Sequence, residues 1–296
     1  MNLSSPRETM RVLDEFGIRA RKKYGQNFLI DGNIVGRIVE AADVSGDDCV
    51  LEIGPGIGTM TQALSRAAGS VVAVEIDRTL EPVLAATLAD CVNVHIEWGD
   101  VLKTDLASLS SRYNGGKPFK TVANLPYYVT TPILMKLLEE RGLFESITVM
   151  VQKEVAERIL AEPGTKEYGA ISLAVRYYAE PEIAVLVPPS CFIPRPNVDS
   201  AVLHLKARTA PPVEADEKLL FSLIRASFNQ RRKTLVNGIV GGLSWEGRRF
   251  GRSEAEAALA RVGLPADVRG ERLSLDEFAA LSRQLFLTGT GAYGKL

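Results

Sequence analysis

A glycine-rich loop at residues 54–58 has the residue types that hold a nucleotide-like cofactor. Gly54, Gly56 and Gly58 follow an apolar run that predicts a β-strand, and a helical pattern begins directly after them. Glycine lets the backbone approach a ligand closely, and the start of a helix offers unpaired N–H groups. Glu75 follows about 20 residues later, at the end of the next predicted strand, where a carboxylate can accept both hydroxyls of a ribose. A plain strand-to-helix turn is the alternative that needs no ligand.

The glycines and Glu75 alone suit a nicotinamide dinucleotide and S-adenosylmethionine (SAM) equally well, so three further residues decide between them. The dinucleotide motif requires a third glycine at the position that Thr59 occupies. Glu52, in the strand just before the loop, would repel a pyrophosphate, whereas it suits the ammonium and sulfonium charges of SAM. Asp100, after the third predicted strand, can accept a hydrogen bond from the adenine amine. These residues therefore predict SAM as the cofactor.

The end of the fourth predicted strand carries four residues that could activate an exocyclic amine: Asn124, Leu125, Pro126 and Tyr127. They resemble the N-P-P-Y motif of methyltransferases that act on such amines. The amine of adenine is a poor nucleophile because its lone pair is delocalised into the ring. The Asn124 side-chain oxygen and the Leu125 carbonyl can accept its two N–H groups, while Pro126 stiffens the turn and Tyr127 stacks on the base. This tetrad is the candidate catalytic site, and the alternative is a strand-end turn with a buried tyrosine.

Alternating apolar and amphipathic stretches predict the elements that position these residues. Runs rich in β-branched residues predict strands at 50–53, 71–74, 92–96, 121–123 and 147–151, followed by two late strands at 183–187 and 198–205. Helical patterns separate the strands near 59–68, 79–88, 105–111, 131–141 and 170–178. This order predicts an α/β protein with a Rossmann-like methyltransferase fold and a seven-stranded, mostly parallel sheet.

The chain is predicted to form two domains. Residues 1–208 form the SAM-dependent methyltransferase domain, of which residues 1–48 are a helical N-terminal extension. In that extension, a capping box from Ser5 to Glu8 begins a helix that Gly17 ends. The segment 208–212 (RTAPP) is the predicted linker. Only helical patterns follow it, near 216–228, 231–241, 253–261 and 274–286, so residues 209–296 are predicted to be an all-helical domain.

Basic side chains are clustered, although the formal net charge is only −1. A C-terminal cluster spans residues 225–252 with Glu246 as its single acid, and a smaller one lies near the N-terminus. A phosphate backbone favours such clusters through counterion release. A solvated helix face is the alternative. The predicted RNA-binding residues are Lys22, Lys23, Arg231, Arg232, Lys233, Arg248 and Arg249, with Arg225 and Arg252 in the same cluster.

The composition excludes several other classes of protein. No apolar run approaches the roughly 18 residues of a membrane span, and the first thirty residues lack the apolar core of a secretory signal. Cys49, Cys91 and Cys191 have the spacing of neither a zinc site nor a disulfide framework, and only His95 and His204 are available for histidine-based catalysis. We expect a cytoplasmic protein that binds neither a metal nor a membrane, and we expect a monomer.

With these residues in place, nearly the whole chain resembles the ribosomal RNA adenine N6,N6-dimethyltransferase family, in particular its bacterial small-subunit branch. Five motifs carry the resemblance: 25–29 (GQNFL), 52–58 (EIGPGIG), 124–127 (NLPY) with 131–134 (TPIL), 192–200 (FIPRPNVDS) and 228–235 (FNQRRKTL). The resemblance implies that Asn27 and Leu29 help cover SAM beside Gly54, Glu75, Asp100 and Asn124. It also implies that Phe192 forms the second wall of the target-base pocket, opposite Tyr127, and that the helical C-terminal part contacts RNA.

The implied activity is the transfer of two methyl groups to each of two adjacent adenines near the 3′ end of 16S rRNA in the small ribosomal subunit or its precursor. A role in small-subunit biogenesis is compatible with this activity. Three alternatives remain: a resistance-type methyltransferase of large-subunit rRNA, a non-catalytic RNA-binding assembly factor and a nicotinamide oxidoreductase. The segment 131–134 and the long C-terminal part argue against the first, Asn124 and Tyr127 against the second, and Thr59 and Glu52 against the third.

Overall fold

The computed structural model describes residues 3–19 and 26–290, which fall into two compact units. The first unit is Met1–Ala156 with Ala179–Thr209, and the second is Glu157–Tyr178 with Ala210–Leu296. The boundary near residue 209 lies where the predicted linker begins. The segment 157–178, which the prediction placed in the methyltransferase domain, groups instead with the C-terminal part. Among the described residues, no helix combines the length and the apolar character of a membrane span.

Seven strands form the central sheet of the first unit, as predicted. They are β2 (Cys49–Ile53), β3 (Ser70–Glu75), β4 (Val94–Trp98), β5 (Phe119–Asn124), β6 (Phe144–Gln152), β7 (Ala179–Val187) and β9 (Ser200–Ala207). Their order across the sheet is β4-β3-β2-β5-β6-β9-β7. The five strands from β2 to β6 run parallel, whereas β9 pairs antiparallel with both β6 and β7.

The order of the parallel strands creates a crevice at one edge of the sheet. β2 and β5 are neighbours, but the chain leaves β2 toward β3 on one side and reaches β5 only after β4. Ligands of open α/β sheets bind outside the carboxyl ends of the strands at such a reversal of strand order. Both central strands are almost wholly buried along their length, although each carries a charged residue, Glu52 in β2 and Lys120 in β5.

Six of the described helices belong wholly to the first unit: α1 (Pro6–Glu15), α2 (Gly32–Ala41), α3 (Thr59–Ala67), α4 (Glu81–Thr87), α5 (Leu106–Asn114) and α6 (Thr130–Glu139). The Ser5 hydroxyl caps α1 by accepting from the Glu8 N–H, as predicted, but the Glu8 carboxylate bonds to Arg11. Leu3 and Val12 bury the N-terminal extension in an apolar cluster with Phe28, Ile57, Leu80, Val83 and Leu84.

A two-residue ladder joins distant parts of the first unit. β1 (Phe28–Leu29) pairs antiparallel with β8 (Phe192–Ile193), so that Leu29 lies opposite Phe192. The Ile30 N–H extends the ladder by donating to the Cys191 carbonyl over 2.9 Å. This ladder fastens the segment before α2 to the loop that precedes β9.

The second unit is built from helices, with one small addition that the sequence analysis did not predict. Its helices are α7 (Lys153–Leu160), which begins in the first unit, α8 (Ala170–Tyr178), α9 (Glu217–Asn229), α10 (Leu235–Gly242), α11 (Arg252–Arg261) and α12 (Leu275–Thr290). A hairpin of β10 (Ser244–Trp245) and β11 (Arg248–Arg249) corrects the expectation of an all-helical part. Gly247, at a φ of 78°, makes this tight turn possible.

Aromatic packing explains why 157–178 groups with the C-terminal helices. The Phe221 ring of α9 lies 5.1 Å from the Tyr177 ring and 5.6 Å from the Tyr178 ring, measured between centroids. The Tyr178 hydroxyl donates to the Glu217 carboxylate over 2.6 Å, and the Tyr168 ring packs against Phe228 at 6.0 Å. Offset and edge-on ring pairs of this kind contribute about 0.5–1.5 kcal/mol each beyond their buried area.

Candidate functional site

A cavity of about 320 Å³ opens at the carboxyl ends of β2, β3, β4 and β5, and only residues of the first unit line it. The lining includes the predicted residues Gly54, Gly56, Glu75, Asp100 and the whole tetrad from Asn124 to Tyr127. It also includes Asn27 and Leu29, which belong to a segment we call the cover (residues 26–29). The fold therefore brings the predicted cofactor residues and the tetrad to one cavity.

The glycine loop adopts a conformation that only glycine accepts without strain. Gly54, Gly56 and Gly58 have φ angles of 72°, 60° and 93°. The Gly56 N–H donates to one Glu75 carboxylate oxygen over 3.3 Å, and the Asp77 N–H donates to the other over 2.8 Å. Each oxygen keeps a second lone pair, so Glu75 can still accept two hydroxyl groups from the cavity.

Two acidic side chains are buried at the cavity with little compensation. Burial raises the pKa of Glu75, and the N–H groups of Asp77 and Gly56 oppose that rise. Burial and repulsion from Glu75 raise the pKa of Glu52 to about 8, while the Thr61 hydroxyl opposes the shift. Glu52 is only 2% exposed, and its Oε2 atom has no hydrogen-bond partner among the described residues. A cationic group placed beside such a carboxyl would favour its ionised form.

The turn after β4 holds Asp100 at the cavity. The Leu102 N–H donates to the Asp100 Oδ1 atom over 3.0 Å, which leaves Oδ2 to accept from a ligand. The Lys136 ammonium donates to the Thr104 carbonyl over 2.9 Å and braces the same turn from α6. This arrangement keeps the predicted adenine acceptor in a fixed loop.

Asn124 is oriented by the cover. Its Nδ2 atom donates to the Asn27 carbonyl over 3.1 Å. Because a carbonyl can only accept, this bond determines which way the amide faces and leaves Oδ1 as an available acceptor. Among the described residues nothing donates to the Leu125 carbonyl, although the Leu125 N–H is held by the Met150 carbonyl over 3.3 Å. The two acceptors that an exocyclic amine requires are therefore both available.

Tyr127 is half-buried at the cavity and bonded at its far end. Its hydroxyl shares a hydrogen bond of 2.8 Å with the Ser200 hydroxyl. Burial raises the pKa of the Tyr127 phenol, so the hydroxyl is protonated near neutral pH. The adjacent Tyr128 is 63% exposed at the same cavity.

Phe192 lies outside the cavity lining. Its side chain is 1% exposed and belongs to the apolar core of the sheet, together with Leu29, Met60 and Val202. The β1–β8 ladder places it directly opposite Leu29 of the cover. A wall of the base pocket at Phe192 therefore stays a prediction, and in this structure the residue supports the cover.

Comparison with known proteins establishes the family. A family model described as ribosomal RNA adenine dimethylase matches residues 17–260. The chain belongs to the ribosomal RNA adenine dimethylase family. It is 52% identical over 282 residues to the ribosomal RNA small subunit methyltransferase A of Lachnoclostridium phytofermentans, covering 95% of this chain and 96% of that relative. The enzyme of the same name from Shouchella clausii is 50% identical over 289 residues, covering 97% of both chains.

Solved structures agree with this membership of the adenine dimethylase family. A dimethyladenosine transferase from Plasmodium falciparum superposes with a TM-score of 0.74 at 24% identity over 88% of this chain and 98% of its own, which shows the shared fold. The 23S rRNA methyltransferase ErmE superposes with a TM-score of 0.66 at 27% identity over 88% of this chain and all of its own. The chain is thus a SAM-dependent rRNA methyltransferase with a Rossmann-like fold, as predicted.

Among the described residues, some of the predicted RNA-binding side chains form ion pairs with acidic side chains, and others do not. Lys22 and Lys23 lie outside the described residues. Arg231 bonds to Glu271 at 2.6 Å, and Arg248 forms an ion pair with Glu254. Within the described chain, by contrast, no ion pair engages the exposed residues Arg232, Lys233 and Arg249.

Two site contacts escaped the sequence analysis. The Gln26 amide donates to the Asp77 carboxylate over 3.3 Å and ties the cover to the end of β3. The Ser200 hydroxyl, for which the sequence analysis predicted no contact, bonds to the Tyr127 hydroxyl. Both residues lie in family motifs, which is the only signal in the sequence that points to them.

Proposed function

We propose that this protein transfers methyl groups from SAM to the N6 amines of two adjacent adenosines near the 3′ end of 16S rRNA, as part of small-subunit biogenesis. The observation that best supports this proposal is the orientation of the Asn124 amide. Its nitrogen bonds to the Asn27 carbonyl, which leaves its oxygen available as an acceptor in the cavity. The relatives at 52% and 50% identity are both small subunit methyltransferases by name, which supports the small subunit as substrate. The enzyme is proposed to act in the cytoplasm as a monomer, without a metal.

The residues of the cavity suit SAM. The Glu52 Oε2 atom has no hydrogen-bond partner among the described residues, and the cationic methionine part of SAM would favour the ionised form of this carboxyl. The glycine loop permits close approach of the ligand, and Glu75 and Asp100 offer acceptors for the ribose and the adenine amine. When bound, SAM supplies an electrophilic methyl group on its sulfonium.

The tetrad would act on the target amine. The Asn124 oxygen and the Leu125 carbonyl accept its two N–H groups, which localises the nitrogen lone pair and directs it out of the base plane. The Tyr127 ring stacks on the base and aligns it, a contact of roughly 1–3 kcal/mol. These interactions strengthen as the nitrogen becomes a nucleophile, and interactions of that kind raise turnover rather than ground-state binding.

Methyl transfer to ribosomal particles tests the proposal. The protein and tritiated SAM are incubated separately with undermethylated small subunits and with large-subunit rRNA, and primer extension then locates the modified bases. We expect label only in 16S rRNA, at two adjacent adenosines near its 3′ end. Label in the large-subunit RNA would instead support the resistance-type activity, and absence of label from both would support the non-catalytic assembly factor.

A further inference from the structure

We propose that Ser200 is a positioning residue that holds the Tyr127 ring in the orientation needed to stack on the target base. The inference rests on the proposed function, because it assumes that Tyr127 receives an adenine. Its direct basis is the 2.8 Å hydrogen bond between the two hydroxyl groups.

Ser200 is a rigid anchor. It is fully buried and begins β9, where the backbone lies between two partner strands and is opposite Gln152 on one side and Val187 on the other. A residue that is paired on both sides in the middle of a sheet has little freedom to move. The serine hydroxyl therefore occupies a fixed position relative to the strands that bound the cavity.

The backbone of Tyr127 lies in a turn and not in a strand or helix. It lies in the turn after β5, which is closed by the Val129 N–H and the Thr130 hydroxyl, both donating to the Pro126 carbonyl. The turn fixes the backbone end of Tyr127, and Ser200 fixes the hydroxyl end. Two fixed ends restrict both side-chain torsions, so the ring faces are presented to the cavity in one orientation.

Asn124 shows the same arrangement in the same tetrad. Its amide nitrogen is held by the Asn27 carbonyl, and its oxygen is thereby directed to the base. Both polar side chains of the tetrad are thus oriented by a partner outside it. The loss of either partner should impair alignment of the base more than binding of the RNA.

The test is a double-mutant cycle of Ser200→Ala and Tyr127→Phe. Single-turnover methyl transfer to RNA is measured for the wild type, both single variants and the double variant, together with RNA affinity by filter retention. A 2-aminopurine placed at the target position reports stacking through its fluorescence. Two matched controls lie outside the cavity lining. Ser110→Ala removes a buried serine that bonds to the Lys117 carbonyl, and Tyr113→Phe removes a hydroxyl that bonds to Glu97.

Each single variant should slow methyl transfer about three- to tenfold, the fold-change of one neutral hydrogen bond. The double variant should be no slower than either single one, because all three lack the same bond. RNA affinity should stay within about twofold, quenching of 2-aminopurine should weaken, and both controls should methylate at the wild-type rate.

If the wild-type protein methylates the RNA as proposed, either of two results would still contradict the positioning role of Ser200. The first is a wild-type rate in Tyr127→Phe, and the second is a set of losses that add in the double variant. If Ser200→Ala does not fold, Tyr127→Phe decides alone, because it removes the same bond from the partly exposed side. A wild-type protein that does not methylate the RNA would contradict the proposed function instead.

Discussion

At the residue scale, the Glu52 carboxyl has an unusual environment, because no cation among residues 3–19 and 26–290 compensates it. It is buried at the cavity, its Oε2 atom has no partner among the described residues, and the charged group that acts on it is the like-charged Glu75. A pKa of about 8 means that the carboxyl is mostly protonated at pH 7. A cationic ligand favours the ionised form, so binding of such a ligand should release a proton.

Proton release therefore gives a first prediction for SAM binding. Calorimetry at pH 7 in buffers of different ionisation enthalpy should show close to one proton released per SAM bound. Between about pH 5 and pH 7, where the ammonium of SAM stays charged, the affinity should rise by up to about tenfold per pH unit. Glu52→Gln should abolish most of this dependence, and a wild-type pH profile in that variant would assign the proton to Glu75.

The raised pKa of Glu52 also makes the free energy of unfolding depend on pH. Because the folded pKa lies above the ordinary value of 4.5, the unfolded chain holds fewer protons between these two values. The free energy of unfolding therefore falls as pH rises from about 4.5 to 8. Glu52→Gln should stabilise the cofactor-free protein more at pH 8 than at pH 5, as measured by urea unfolding at both values.

Asn124 carries the prediction for the chemical step. Asn124→Ala removes the proposed acceptor and should lower single-turnover methyl transfer by about a hundredfold or more, the effect of removing one transition-state hydrogen bond. RNA affinity by filter retention should stay near wild type. Asn114→Ala is the control, since its amide also donates to backbone carbonyls but lies outside the cavity lining. A near-normal rate in Asn124→Ala would make the tetrad a structural turn.

At the scale of elements, the basic segment 225–252 is less uniformly positive than its composition indicates. Glu271, Glu254 and Glu256, all outside the segment, pair with three of its arginines: Arg231, Arg248 and Arg252. Arg231 also donates to the Thr165 carbonyl over 3.2 Å, so it crosslinks parts of the second unit. Exposed charges without such partners are better candidates for phosphate contacts.

The difference between ion-paired and unpaired basic residues predicts different effects for two variants that look equivalent in the sequence. Replacing Arg232 and Lys233 by alanine should flatten the log–log salt dependence of RNA binding by up to about 0.7–0.9 for each phosphate that the protein no longer neutralises. The melting temperature of this double variant should equal that of the wild type. Arg231→Ala should instead lower the melting temperature. If the double variant keeps the wild-type salt slope, the loop between α9 and α10 does not bind RNA.

The elements that could be predicted from the sequence are those with long local patterns. The seven sheet strands are runs of β-branched residues that are long enough to show their type, whereas β1 and β8 have two residues each and no periodicity. Helix α7 was missed as well. Residues at strand ends, such as Glu75 and Asn124, could be assigned to one cavity because parallel strands end at one edge.

The contacts that escaped prediction join residues far apart in the chain. Asn27 meets Asn124, and Tyr127 meets Ser200, only because the fold brings together the strands that contain or adjoin these residues. Strand order is a property of the whole sheet and leaves no local trace in the sequence. The same reason hid the pairing of Arg231 with Glu271, which lies 40 residues further along the chain.

At the scale of the whole molecule, the aromatic residues of 157–178 make the second unit discontinuous. Tyr168, Tyr177 and Tyr178 pack against phenylalanines of α9 within that unit. We propose that the two units are domains, with the methyltransferase domain interrupted by this segment. A boundary drawn only at residue 209 would separate these rings from Phe221 and Phe228 of α9.

Truncation tests that proposal. A chain ending at residue 209 should bind the dye ANS and be cleaved rapidly by protease within 157–178, since exposed aromatic surface is a marker of incomplete packing. A second chain that also replaces 157–178 by a short glycine-serine linker should bind less dye. Equal dye binding by the two chains would show that 157–178 needs no partner from the C-terminal part.

The β1–β8 ladder also has a consequence for how the protein is made. Phe28 emerges from the ribosome early, yet its partner Ile193 follows only after six of the seven sheet strands have been synthesised. Closing so long a loop for two residues costs chain entropy that the ladder alone cannot offset, so the pairing must follow formation of the sheet. The cover should therefore close last, and a nascent chain shorter than about 200 residues should emerge unable to retain SAM.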